Sequence, residues 1–351
     1  MQRIESLDQF RGYTVAGMFL VNFIGSFAVV PVIFKHHRTY CSYADTIMPH
    51  FFFAVGFAFR LALLRNVERN GRGAAYRAAV RRCLGLILVG IVVHQLDGRY
   101  NSWRDLQNLG VSGFLENSFR RNVFQALVHI GVTSLWVLPV IGAAPRTMWI
   151  FLTASGLLHL GLSKWFWYDW LLANRVIDGG PLGFLTWTIP LLCGAIAYDW
   201  VRGTGQAAQR PLLRAAAALM VLGYGISCLS AGGVLAAPPF AAPWHPRDIW
   251  TMSQQAGSIS YLVFSAGLSF LVYAFFLWWT DGRGRQWPLF KTLGTNALAG
   301  YILHGLVSDV VRPFAPRDSP GWYVALAFAV FFGITWAMVR SLEKQRIFIR
   351  L

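Results

Sequence analysis

Long apolar stretches alternate with short polar segments along the whole chain. A helix needs roughly 20 apolar residues to cross the hydrocarbon core of a bilayer. About ten stretches approach that length: 12–32, 43–64, 80–96, 122–142, 147–162, 181–201, 212–234, 258–279, 290–310 and 321–339. The third and fifth are short. Interior prolines such as Pro190 do not argue against these spans, because membrane helices tolerate them. The pattern predicts an all-α, polytopic helix bundle embedded in a membrane, and residues 1–351 read as one transmembrane domain.

Composition sharpens this picture. Hydrophobic residues make up 56% of the chain and charged residues 13%, against about 25% charged in soluble proteins. So much apolar surface needs lipid to cover part of it. Residues 1–8 are polar, and the apolar run after Arg11 is too long for a cleaved leader, so the first helix is expected to be a retained span. The four cysteines, Cys41, Cys83, Cys193 and Cys228, have no metal-ligand spacing. Neither a P-loop nor a dinucleotide-binding fingerprint is present, and no metal is expected.

The net charge of +16 suits anionic lipid and cytoplasmic loops better than nucleic acid. The segment after the second span carries Arg65, Arg69, Arg72, Arg77, Arg81 and Arg82 against Glu68. Such a segment is expected in the cytoplasm. Alternation from there puts both termini in the cytoplasm and the segment from His36 to Asp45 on the other side. The arginine-rich, lysine-poor usage suggests a bacterial inner membrane as the home of this multi-pass protein.

Ionisable groups at a membrane are costly, and they mark functional sites by default. His36, His37 and Asp45 lie between the first two spans. At about 1.5 Å per residue, Asn22 and His304 reach the same half of the membrane. Asn296, Gly300 and His304 share a helical face at i, i+4, i+8 spacing.

Several segments carry a family resemblance. The opening stretch 3–12 (Arg-Ile-Glu-Ser-Leu-Asp-Gln-Phe-Arg-Gly), residues 18–22 ending in Val21-Asn22, Phe34-Lys35-His36, and residues 44–49 beginning Ala44-Asp45 resemble successive motifs of the heparan-α-glucosaminide N-acetyltransferase-like membrane acyltransferases. The likeness continues in Val123-Phe124-Gln125, in residues 249–253 and in residues 294–301 with His304. The ordered set spans nearly the whole chain. It departs from the family at Arg38, Thr39 and Tyr40, at Ala126 and at His50. The segment before Asp45 is one residue short, so both His36 and His37 stay in register with the family's active histidine.

The resemblance implies transfer of an acetyl group from cytoplasmic acetyl-CoA to an amino sugar across the membrane. A sugar hydroxyl or a cell-envelope glycan fits as acceptor too. The residue types suit such a reaction. His36 can accept the acetyl group or remove a proton, Asp45 can hold its tautomer, and Asn22 can donate to the thioester oxyanion. His304 can serve as a second acid/base or contact substrate. His37, Gln125, Asn296, Trp250 and Ser253 are candidate substrate contacts. Arginines can meet the CoA phosphates. A homodimer is compatible with this reading.

Plainer roles are open for each residue. His36 can be an interfacial hydrogen-bonder, Asp45 a helix cap, and Asn22 and His304 links between helices. Two other function classes are a secondary transporter, for which the chain lacks visible internal symmetry, and an inactive membrane scaffold.

Overall fold

The computed structural model describes residues 4–94, 102–119, 123–174, 176–230 and 235–349. These are all-helical, with no strand among them. The main helices are α1 (Glu5–Ile24), α2 (Tyr43–His94), α3 (Trp103–Phe119), α4 (Ala126–Val137), α5 (Pro145–Leu162) and α6 (Tyr168–Ala173). They continue with α7 (Phe184–Thr204), α8 (Gln209–Ser227), α9 (Ile259–Phe276), α10 (Pro288–Thr295), α11 (Ala297–Val311) and α12 (Gly321–Lys344). Among the described residues, four helical segments are long and apolar enough to cross a membrane: Tyr43–Val93, Gly180–Ser227, Ile259–Gly282 and Gly321–Lys344. The finer division into about ten spans rests on the sequence pattern.

Two of the expected spans lie in α2, which breaks at Gly71. That residue has φ 77° and ψ 164°, a conformation that glycine adopts without a Cβ penalty. The break folds the helix back on itself. A Cβ on Gly142 would touch both Leu63 and Tyr76, one from each arm. The arms are residues 43–70 and 72–94, so the arginine-rich segment expected as a loop is helix on both sides of a one-residue turn. Hydropathy ends a span where charge begins. A helix continues wherever its backbone bonds are made.

Other boundaries move for the same reason. The first helix starts at Glu5, ahead of the expected 12, and stops at Ile24. The short fifth span is extended by the wide turns of 163–167 and by α6. Residues 290–310 form two helices. Asn296, at φ −130° and ψ 48°, interrupts them, so Asn296 does not share the helical face of Gly300 and His304. Helix α3 falls where a loop was expected. Residues 95–96, 122 and 231–234, at the ends of three expected spans, lie outside the described residues.

The core forms where helix backbones meet. A Cβ on Gly56 would sit 1.7 Å from the Leu191 carbonyl oxygen, and one on Gly194 would sit 1.9 Å from that of Phe53. Neither position has room for a side chain, so α2 and α7 cross in direct backbone contact, the usual service of small residues between membrane helices. Around this crossing Phe10, Phe53, Phe57, Tyr198 and Tyr273 pack edge to face or tilted and are fully buried. Arg60 is buried among them and bonds Asp199 at 2.6 Å and the Ile141 carbonyl at 2.5 Å, tying α2 to α7 and to the turn after α4. A second cluster joins α1, α11 and α12 through residues such as Phe19, Phe23 and Phe331. On α12, Trp322, Leu326, Val330, Ile334 and Met338 are exposed at every fourth position. That spacing gives one continuous apolar face.

Candidate functional site

The short segment between α1 and α2 carries His36, and the first turn of α2 fixes its partner. Ser42 and Asp45 bracket the helix start. The Ser42 N–H donates to Asp45 Oδ2 at 2.8 Å, and the Asp45 N–H reaches Ser42 Oγ at 3.4 Å. This reciprocal arrangement caps a helix N-terminus. The other carboxylate oxygen, Oδ1, accepts from His36 Nδ1 at 2.8 Å. Asp45 therefore caps the helix and holds the imidazole at once. The Tyr261 hydroxyl pins its backbone carbonyl at 2.5 Å, and the side chain is wholly buried.

His36 itself is half exposed, and the exposed part borders a large cavity. Because the Asp45 carboxylate can only accept, Nδ1 of His36 carries the proton, and Nε2 keeps its lone pair. The same Nδ1 lies 3.1 Å from Gln254 Oε1. Gln254 Nε2 in turn donates to Asp178 Oδ1 at 2.7 Å. Burial lowers the basicity of His36, but the hydrogen bond and charge of Asp45, with the charge of Asp178, outweigh it and raise its pKa above the ordinary value. Burial pushes the Asp178 carboxyl up to about 6, against the Gln254 hydrogen bond and the nearby imidazole.

Across the cavity, Asn22 Nδ2 lies 3.4 Å from His304 Nε2. His304 Nδ1 bonds the Tyr301 carbonyl, which leaves Nε2 as the acceptor of the Asn22 amide. The ring stacks on Phe19, with centroids 5.6 Å apart. Asn22 has a second amide hydrogen beyond the one facing His304.

The cavity holds about 930 Å³, in the upper part of the range for small-molecule sites. His36, His37, Asn22, His304 and Gln125 all line it, as do Asp178 and Gln254. Its far end is bordered by Asp8, Arg11, Arg82 and Thr295. Asp8 and Asn22 both belong to α1, so the two ends are separated by about 21 Å of helix. Between them the walls are mostly apolar, including Ala54, Ala58, Leu86 and Ile130.

His37 is engaged elsewhere. Its Nε2 lies 2.8 Å from the Val32 carbonyl and its ring stacks on Tyr40. Of the two histidines, His36 is the one bonded to Asp45.

Three expected substrate contacts are not among the residues lining the cavity. Asn296 donates to the Ile347 carbonyl and accepts from the Ile349 N–H, so it anchors the C-terminal tail, whose Ile349 borders the cavity. The Ser253 hydroxyl donates to the Arg38 carbonyl at 2.7 Å, tying the His36 segment to the loop before α9. The Trp250 carbonyl accepts from Ser260 at 2.7 Å. These residues shape the site's frame.

Sequence reasoning missed Asp178 and Gln254. Gln254 directly follows the motif at 249–253. Asp178 precedes Gly179-Gly180-Pro181, and an acid beside a glycine turn in so apolar a chain is the signal that marked it. Among the described residues no cluster of His, Cys, Asp or Glu is arranged to hold a metal ion.

In comparisons with known proteins, no family model and no curated protein matches the chain.

Proposed function

We propose that this protein is a membrane acyltransferase that moves an acetyl group from acetyl-CoA to an amino sugar or glycan hydroxyl. The observation that carries the reading is one cavity with a carboxylate-held histidine at one end and two arginines at the other. Arginine forks match phosphate, so Arg11 and Arg82 suit the nucleotide end of the donor. The cavity volume of about 930 Å³ accommodates a bulky donor. The ordered motifs shared with the heparan-α-glucosaminide N-acetyltransferase-like enzymes point the same way.

In this reading the acceptor's amine or hydroxyl attacks the thioester carbonyl while His36 Nε2 takes its proton. The new C–N or C–O bond forms, the C–S bond breaks, and the CoA thiolate recovers the proton from the imidazolium. Attack by Nε2 itself, through an acetyl-imidazole, gives the same balance in two steps. Asn22 offers its second amide hydrogen to the oxyanion. His304 positions Asn22, since both of its ring nitrogens are occupied.

We place the protein in a bacterial inner membrane as a multi-pass chain of about ten spans. Both termini and the Gly71 turn lie in the cytoplasm and the His36 segment lies outside. The arginines flanking Gly71 support this orientation. A cysteine at position 73, where a side chain has room, tests it. An impermeant thiol reagent added outside intact cells should not label it. Labelling from outside would reverse the topology. The activity is tested by incubating purified protein with labelled acetyl-CoA and a panel of amino sugars and glycans. Label should pass to an acceptor. A transporter or scaffold would transfer none and gain no thermal stability from CoA.

A further inference from the structure

His36 meets two acceptors, and the second comes from far away in the chain. Gln254 lies in the loop before α9 and Asp178 in the loop before α7. Each hydrogen bond in this chain constrains the next. The Asp178 carboxylate accepts and cannot donate when ionised, so the amide nitrogen of Gln254 must face it. The carbonyl oxygen of Gln254 then points at His36 Nδ1, at 3.1 Å. A glutamine freed from Asp178 can turn its NH₂ toward the ring, which removes the second acceptor.

The surroundings hold Asp178 in place. Its backbone has φ 56°, a left-handed conformation that aspartate tolerates better than most residues. Its carbonyl accepts from the buried Trp187 indole at 2.8 Å, and the following Gly179 N–H donates to the Gln255 carbonyl at 3.0 Å. The two loops are thus locked together before either reaches His36. Asp178 is buried, yet it borders the cavity.

We infer that Asp178 is a positioning residue for His36, acting through Gln254 to hold the ring from a second side with the Nε2 lone pair toward the substrate cavity. The assignment rests on the acyltransferase reading for its purpose, but its geometry can be tested without any substrate. It divides the work between two carboxylates. Asp45 bonds the ring directly. Asp178 orients the amide that shares the same hydrogen and adds a second negative charge to the imidazolium's surroundings. The other charged and titratable groups bordering this end are His37 and Arg38 on the histidine's own segment, with His304 and Tyr301 across the cavity. Arg247 bonds the side chain of Gln255, the neighbour of Gln254, at 3.2 Å.

The test is nitrogen NMR on protein with ¹⁵N-labelled histidine, the His36 signal being identified by its loss in His36→Asn. In the parent protein, above the imidazole pKa, His36 should show a protonated Nδ1 and an unprotonated Nε2. Asp178→Leu leaves the Asp45 bond and so keeps Nδ1 protonated, but it should shift the Nδ1 signal as the second acceptor is lost and lower the His36 pKa. Asp178→Asn keeps an acceptor for Gln254 but loses the charge. It should hold the tautomer and lower the His36 pKa by roughly half a unit to one unit, the modest end of a charge effect. In transfer assays Asp178→Leu should lower kcat by about ten- to a hundredfold with little change in KM for acetyl-CoA, as expected of a small misplacement at the reacting centre. Asp178→Asn should fall between it and the parent. A His36 Nδ1 signal and pKa unchanged in Asp178→Leu would overturn the inference. Should Asp178→Leu not fold, an unshifted His36 pKa in Asp178→Asn would overturn it instead. Parent protein that shows these NMR signatures but transfers no acetyl group would leave Asp178 assigned and remove the acyltransferase reading.

Discussion

The two ends of the cavity are built in opposite ways. At the His36 end, short hydrogen bonds fix nearly every polar group, from Tyr261 and Ser42 through Asp45 to His36, Gln254 and Asp178. At the Arg82 end the cavity presents charge. Arg11 stands 4.0 Å from Asp8, and Arg82 borders the same end of the cavity. A reacting centre needs geometry held to within fractions of an ångström. A phosphate group needs positive charge and tolerates many arrangements. On the proposed acyltransferase reading, chemistry belongs to one end and binding to the other, and mutations at the two ends should separate kcat from KM.

The largest effect is expected from His36→Ala. Loss of a general acid/base typically costs roughly 10²–10⁴-fold. Transfer should fall by that much while binding of CoA, measured by calorimetry or thermal shift, stays within a few-fold. A loss below tenfold would remove His36 from the reaction. Next comes Asp45→Asn, which keeps part of the hydrogen bonding but loses the charge. It should lower kcat by roughly ten- to a hundredfold, less than His36→Ala.

The same variant carries a pH signature. Asp45 raises the His36 pKa, and only the neutral imidazole is a base, so activity rises as pH climbs through that pKa. Without the Asp45 charge the rise should shift to lower pH in a kcat/KM profile. A shift to higher pH would mean that the Asp45 charge does not stabilise the imidazolium.

Smaller effects belong to the other end and to the frame. Arg82→Gln should raise KM for acetyl-CoA about tenfold at nearly constant kcat, the worth of one charge-assisted contact. A fall in kcat alone would blur the division between the two ends. Ser253→Ala removes one hydrogen bond between the His36 segment and the loop before α9. About 1 kcal/mol of stability, read from thermal unfolding, and a few-fold loss in kcat are expected.

The membrane-helix character of the chain and a histidine close to Asp45 were legible in the sequence, because both depend on local signals, but the choice of His36 over His37 came only with the fold. Apolar runs report burial in lipid, and a histidine nine positions before an acid at a helix start is a short-range pattern. Asp178 and Gln254 were not legible, since a separation of 218 residues lies between His36 and Gln254 and only the packing of α7 and α9 closes it. Asn296 misled for a related reason. Its spacing from His304 suits a continuous helix, but the backbone breaks at Asn296 and turns its amide to the C-terminal tail. Helix α3 escaped notice because its apolar positions are too few to read as a span.

The most direct measurement uses proteoliposomes of known orientation. Labelled acetyl-CoA is supplied only on the face bearing the Gly71 turn, and an amino-sugar acceptor is enclosed on the other. One cavity joining a donor end to an acceptor end predicts labelled acceptor inside the vesicles, lost in His36→Ala while CoA binding remains. No label on the enclosed acceptor, with parent protein shown to be folded and to bind CoA, would contradict it.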